Sequence, residues 1–313
     1  MSITRKGILW GYGVQSTNIA TPVAASAGLR VRAEGGVSDL KSGMTHVDVE
    51  MQDGEWGRRD YTQYAGVIRP HWTGAPLLAS TGLIQKLVQQ VCDEGTPDGS
   101  GNITYTLQAA GVAPSTTKSL SIIRRNTLAT SKDKRLVGAT LKSLKLSSSE
   151  SQNAVHMDCD FLGVGLAYTF DGSGGTYTMP AESFLLHKNM TFKLGAAATK
   201  CPEYDVTLDF GTVAEVDNAG SPSSFLLGMF TATGTVRIPW ADEDVLADFE
   251  TSVGNTLTFL WGTAGSSGYL EIIVPVKYTD PDEDIDLDVR LRQGMPFQYF
   301  AATGQALQIK LKP

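Results

Sequence analysis

The sequence is poor in the residues that build metal sites and disulfide frameworks, and it has no long apolar run. Its 313 residues include only 4 histidines (His46, His71, His156, His187) and 3 cysteines (Cys92, Cys159, Cys201). No two histidines stand at metal-ligand spacing and no paired-cysteine motif occurs, so a zinc or iron–sulfur centre is not expected. An odd number of cysteines at unpatterned spacing, two of them in apolar-periodic segments, predicts buried free thiols in a reducing compartment. No stretch approaches the roughly 18 apolar residues of a membrane span. The start, MSITRKGILWGYGVQSTN, has too short an apolar stretch for a cleavable signal, which places synthesis in a cytoplasm.

Catalytic motifs are also missing. STTK (115–118) matches a serine-x-x-lysine pattern, but Pro114 precedes it and the strand-like SLSII follows, so the helical turn that lets lysine activate serine is not expected. WGYGVQS lacks the third glycine of a dinucleotide fingerprint, and neither a phosphate-binding Gly-Lys-Ser/Thr loop nor a Gly-x-Ser-x-Gly elbow occurs. DPDEDIDLD resembles a calcium loop in its carboxylates, yet Ile285 stands where the tight turn needs glycine and Leu291 where a bidentate glutamate belongs. The expectation is a protein without catalytic residues, cofactor or metal, and not an enzyme.

What is present is a β-rich pattern. Hydrophobic residues make up 42% and charged residues 19%, with 33 glycines, which indicates a globular chain rich in turns. In LKSLKLSSSESQNAVHMDCDFLG (141–163), Val155, Met157, Cys159 and Phe161 alternate with His156, Asp158 and Asp160. That is the period of a strand with one buried and one polar side, paired through a polar turn with the strand bearing Leu144 and Leu146. Val236 and Ile238 alternate with Thr235 and Arg237, Leu257, Phe259 and Trp261 share a face, and Ile285 to Leu291 alternate with Asp286, Asp288 and Arg290.

Two helices interrupt this background. Leu83, Ile84, Leu87, Val88 and Val91 recur at helical spacing, with Ser80 or Thr81 as the cap and Gly95 as the stop. Val245, Leu246, Phe249 and Val253 do the same behind Asp242, Glu243 and Asp244, where the helix dipole favours negative charge, with Gly254 as the stop. After each helix comes a similar series, GNITYTL (101–107) then SLSII (119–123), and GNTLTFL (254–260) then YLEII (269–273). The same order at nearly the same offset predicts a diverged tandem duplication. The glycine-rich GSGGTYTMP marks the boundary, giving domains 1–172 and 173–313, two β-sandwich or barrel units each flanked by an α-helix. Residues 10–75 show few periodic segments and read as an arm or long loop.

The net charge of −7 opposes tight phosphate binding by the whole chain. Its distribution is uneven. Lys118, Arg124, Arg125, Lys132, Lys134, Arg135, Lys142 and Lys145 stand against Asp133 alone, whereas TDPDEDIDLDVR (279–290) holds six acids and one arginine. A basic patch on one subunit meeting an acidic patch on the next would make a heterologous contact that builds rings or filaments; two separately solvated surfaces are the plainer alternative.

GYGVQST near the start, the helix GLIQKLVQQV, a Ser-Leu-x-Ile strand and RLVGATLKSLKLSSSESQNAVHMDCDFLG resemble the tail tube proteins of long, flexible, non-contractile bacteriophage tails. KNMTFKLG, FTATGTVRIPWADEDVLADF and the terminal IKLKP resemble the continuation of that family. The resemblance implies a structural virion protein that self-assembles into stacked rings, here trimers of duplicated chains forming pseudo-hexamers, around a lumen that conducts DNA. Long loops and arms would bridge the rings. Its partners would be further copies of itself, the tape measure protein and the tail terminator and tip proteins; DNA would pass without specific binding, and no membrane is involved. Phosphate slides past carboxylates and sticks to cations, so Asp158, Asp160, Asp286 and Asp288 are candidates for the lumen. Arg124, Arg125, Lys132, Lys134, Arg135, Lys142 and Lys145 are candidates for a contact between subunits. The alternative is a phage adhesin or carbohydrate-binding β-sandwich, with Trp56 and Trp72 stacking on sugar rings.

Overall fold

A computed structural model describes residues 8–15, 19–31, 39–43, 46–48, 63–65, 68–127, 133–178, 180, 184–216, 220, 222–239, 254–279, 282–284, 292–301 and 306–313. Strands β1 (Ile8–Val14) and β2 (Ala27–Gly28) are followed by the short β3 (His46–Asp48) and β4 (Gln63–Ala65), then by β5 (His71–Leu78). Helix α1 (Thr81–Val91) precedes β6 (Cys92–Glu94), β7 (Ile103–Leu107), β8 (Leu120–Asn126), β9 (Asp133–Ser149), β10 (His156–Leu162) and β11 (Gly165–Phe170). Next come β12 (Met190–Leu194), β13 (Ala197–Thr199), β14 (Glu203–Asp209), β15 (Val213–Val216), β16 (Pro222–Leu226) and β17 (Thr231–Pro239). The chain closes with β18 (Asn255–Trp261), β19 (Tyr269–Tyr278), β20 (Asp282–Asp284), β21 (Arg292–Tyr299) and β22 (Gln308–Lys312).

The 17-residue β9 organises the molecule. Its first part pairs with β8 and β11, and with β1 and β2 beyond β8 these make one sheet. From Thr140 onward it pairs instead with β10 and β14. The switch follows Gly138, whose φ of +62° is a left-handed conformation that other residues rarely adopt. A strand that changes sheets through such a bend makes the corner between two packed layers.

Beyond the corner lies a central sheet ordered β5-β10-β9-β14-β17-β21. The first sheet packs on its β5–β10 side, where the Trp10 and Trp72 rings stack at 4.4 Å and Phe161 lies 6.1 Å from Trp72. A third layer, β13-β12-β18-β19-β22-β7-β6, covers the β14 side, with Tyr204 at 5.0 Å from Phe259. The chain is thus mainly β with large antiparallel sheets, a β-sandwich.

Helix α1 begins as its sequence predicts, with the Ser80 hydroxyl accepting from the Leu83 amide at 3.3 Å. It ends earlier than predicted. Cys92 leaves the helix in extended conformation and starts β6, because Cys92, Asp93 and Glu94 pair with Leu107, Thr106 and Tyr105. Gly95 continues that ladder through its amide to Thr104, so it is no helix stop. The second predicted helix, residues 242–253, lies outside the described residues.

The reading of residues 10–75 as an arm or loop is corrected at both ends. β1 sits inside the first sheet and β5 in the central one, and Trp10 and Trp72 are buried core. Trp72, at 0% exposure, is therefore closed to a sugar ring, and Trp56 lies outside the described residues. The segments matched as a repeat differ in their neighbours. β18 and β19 pair with each other, whereas β7 pairs with β6 and β22, and β8 with β1 and β9. The glycine-rich stretch 172–178 folds back on the first sheet, where Thr178 accepts from the Gly28 amide at 2.9 Å.

Candidate functional site

The expected alternation holds in β10. Met157, Cys159 and Phe161 are buried beneath the sheet, with Val155 just before them, and His156, Asp158 and Asp160 take the opposite face. That face does not end with the hairpin. In register across the sheet, His156 is followed by Ser147, Asp205, Thr235 and Pro296, and Asp158 by Lys145, Thr207, Thr233 and Gln298. Asp160 leads to Ser143, Asp209 and Thr231, and Ser149 leads to Glu203, Arg237 and Gly294. Each row repeats one side of the pleat, so these residues form a single polar surface.

Two kinds of contact order it. The Asp160 carboxylate accepts from the Gly74 amide at 2.7 Å and the Ser143 hydroxyl at 3.0 Å, which ties the bulged edge strand β5 across β10 to β9. Asp209 accepts from the amide of Gly211 in its own turn at 2.8 Å. The cations are held by carboxylates of β14. Lys145 Nζ lies 2.7 Å from Asp205 Oδ2, a diagonal pair, and Arg237 Nη1 lies 2.9 Å from Glu203 Oε2, directly opposite. Described carboxylates thus exceed described cations here, and the surface is acidic.

The basic candidates do not share one surface. Register puts Arg124 and Lys134 on the Trp10 side of the first sheet, where both reach Asp39, the former at 3.7 Å. Arg125 and Arg135 take the reverse side, with the Arg125 guanidinium 5.5 Å from the Tyr177 ring centre. Lys142 is half-buried at the β9 bulge, whereas Lys145 belongs to the polar face of Asp158 and Asp160. Lys132, Asp286 and Asp288 lie outside the described residues.

The thiols are free and buried, as their spacing predicts. Burial pushes Cys92 and Cys201 up to about 12, and lifts Cys159 well above the ordinary thiol range, helped by Asp158 and Asp160. A thiol so protonated is a poor nucleophile. Among the described residues no group of histidine, cysteine and carboxylate side chains could hold a metal ion. A cleft lined by Tyr12, Arg30, Leu83 and Phe184 has the Arg30 guanidinium over the Phe184 ring at 4.8 Å, and its Ser80 is committed to capping α1.

Sequence reasoning missed the extension of the polar face through β14 and β17. The signal was there, since EYDVTLD (203–209) alternates as regularly as HMDCDFL, with Tyr204, Val206 and Leu208 buried.

The described residues thus define a protein of the mainly β class that presents an acidic, hydroxyl-bearing surface spread over antiparallel strands. The family model for phage tail tube proteins matches residues 20–298, and this chain belongs to that family. A search of curated proteins finds no match. Membership makes the chain a component of the virion tail that self-associates into a tube, and a structural part of that kind implies a non-enzymatic role. No helix among the described residues is long and apolar enough to cross a membrane.

Proposed function

We propose that the polar face of the central sheet lines the lumen of the tail tube, and that DNA slides along it during ejection. The observation that carries this reading is the continuity of the face across both halves of the chain. β10 and β9 come from residues 1–172, β14, β17 and β21 from residues 173–313, and one acidic surface crosses from the first group to the second. Phosphate is repelled by Asp158, Asp160 and the carboxylates of β14, and counterion release, which drives DNA binding, has few cations to act through.

In this reading the two halves are tandem units, and three chains close a pseudo-hexameric ring that stacks on the next. The tape measure protein occupies the lumen during assembly, and terminator and tip proteins close its ends. The chain is made in the host cytoplasm and carries no catalytic activity.

Negative-stain electron microscopy of the concentrated, warmed protein, alone and with isolated tail tips, tests the assembly. Hollow tubes of stacked rings with three-fold averages are expected. Particles that stay monodisperse and fail to add to tips count against it. Charge reversal at Asp158 and Asp160 tests the lumen: ejection should slow while tubes stay intact, and unchanged ejection refutes the placement.

A further inference from the structure

We infer that Glu203 and Asp205 act as clamps that keep Arg237 and Lys145 from gripping nucleic-acid phosphate. The inference rests on the lumenal reading for its biological role, but its chemistry is a property of the face itself. In the registers from β10 to β21, the cations placed on this face with described side chains are Lys145 and Arg237; where β19 extends the Gln298 row, Lys277 follows, its Nζ 4.0 Å over the Phe300 ring. Lys145 and Arg237 are each held by a carboxylate of β14, at 2.7 Å for Lys145 and 2.9 Å for Arg237.

Stability does not account for these pairs. All four side chains are substantially exposed, 41% and 42% for Lys145 and Asp205, 39% and 46% for Arg237 and Glu203, and pairs so exposed contribute little to folding. Position does account for them. The two carboxylates stand two residues apart on one strand, so both point to the same side, and each reaches a cation on a different flanking strand. An unclamped lysine or arginine on a surface that faces DNA would add one phosphate contact, and such contacts set non-specific affinity and its salt dependence. Arginine is the more serious case, because its planar fork matches phosphate in two hydrogen bonds. The glutamate directly opposite takes one donor of that fork, Nη1, at 2.9 Å.

The test compares full-length proteins by anisotropy of a short fluorescein-labelled DNA duplex, titrated over a range of salt. The variant E203Q/D205N keeps the shape of both side chains and removes their charge. D93N/E215Q makes the same change in net charge at exposed carboxylates away from this face. E203Q/D205N should bind the duplex severalfold more tightly at low salt than D93N/E215Q, with a log–log salt slope steeper by about 1 for each freed cation. Adding K145T and R237T to E203Q/D205N should return binding to the parent level. Equal binding by the two double variants, or a gain that survives removal of both cations, overturns the inference. Ejection from phage carrying E203Q/D205N then separates the two ideas. Slower ejection through intact tails supports both, whereas unchanged ejection despite the gain in duplex affinity keeps the clamps and refutes the lumenal placement.

Discussion

Gly138 and Gly74 have the same backbone conformation, φ of +62°, in opposite surroundings, and their replacement by alanine separates backbone strain from packing. A side chain in the left-handed region costs about 1–2 kcal/mol at either position. At Gly74 an added Cβ meets nothing within 4 Å, and the amide that donates to Asp160 is retained, so the cost ends there. At Gly138 the new carbon would lie 2.6 Å from the carbonyl oxygen of Ile19 and 2.8 Å from side-chain carbons of Ile19 and Val164. Those neighbours belong to the chain that covers the corner of β9, and overpacking of this kind adds about 1–3 kcal/mol.

Gly138→Ala is therefore expected to cost about 2–5 kcal/mol and Gly74→Ala about 1–2 kcal/mol. With a urea m-value of about 3 kcal/mol/M, their unfolding midpoints should differ by roughly 0.3–1 M. Tryptophan fluorescence is a suitable probe, because the Trp10–Trp72 stack bridges the layers that the corner brings together. Equal midpoints, or a larger loss at Gly74, would refute the argument that the corner is fixed by close packing as well as by backbone freedom.

Two further predictions concern titratable groups. His187 stacks on Tyr204 at 6.0 Å, and burial lowers its pKa below the ordinary 6.5 despite the opposing effect of Glu150. The fold thus prefers neutral imidazole, and as pH falls below about 6.5 the unfolded chain takes up the proton first, so stability declines until the folded pKa is passed. Urea midpoints of the parent should fall over that window relative to His187→Gln, and parallel curves would exclude the effect. Cys92, Cys159 and Cys201 should resist a thiol reagent in the native protein and all react in denaturant; rapid labelling of any one in the native state would contradict its burial.

Local rules were legible wherever one side of an element is buried and the other wet. Val155 to Phe161 and Leu83 to Val91 display their periods in full, and the structure follows both. β1 was hidden because ILWGYGV has glycine where a strand face would show side chains. Gly13 is there for close approach, since a Cβ would lie 2.1 Å from the Ala24 carbonyl oxygen. The exit of α1 was hidden because pairing with β7, not a stop residue, ends the helix. The basic run was visible as a run, but strand geometry sends adjacent residues to opposite sides, so Arg124 parts from Arg125 and Lys134 from Arg135. No local signal could say that β14 adds to the far edge of β9, and that pairing is what turns two acids on a hairpin into a broad surface.

The chemistry of that surface follows from what a sliding polyanion would meet. Lysine and arginine bind phosphate, and aromatic rings bind unstacked bases, so both would slow it. From β5 to β21 the described register positions of the face hold no phenylalanine, tyrosine or tryptophan, and its cations Lys145 and Arg237 are paired with carboxylates. An all-carboxylate face would avoid adhesion too, but like charges directly opposite one another destabilise a sheet. Threonine resolves the conflict. Thr207, Thr231, Thr233 and Thr235 are β-branched and favour the strand and present a small neutral hydroxyl; Thr207 separates Asp205 from Asp209 on β14, and Thr235 and Thr231 stand opposite those two acids on β17. Replacing Thr233 and Thr235 by valine should leave the fold intact and change the surface only by two hydroxyls. Replacing both by aspartate would set a second carboxylate directly opposite Asp205, in the place of Thr235, and weaken the β14–β17 pair. A urea midpoint unmoved by the aspartates would mean that the spacing of carboxylates on this face is not constrained by sheet stability.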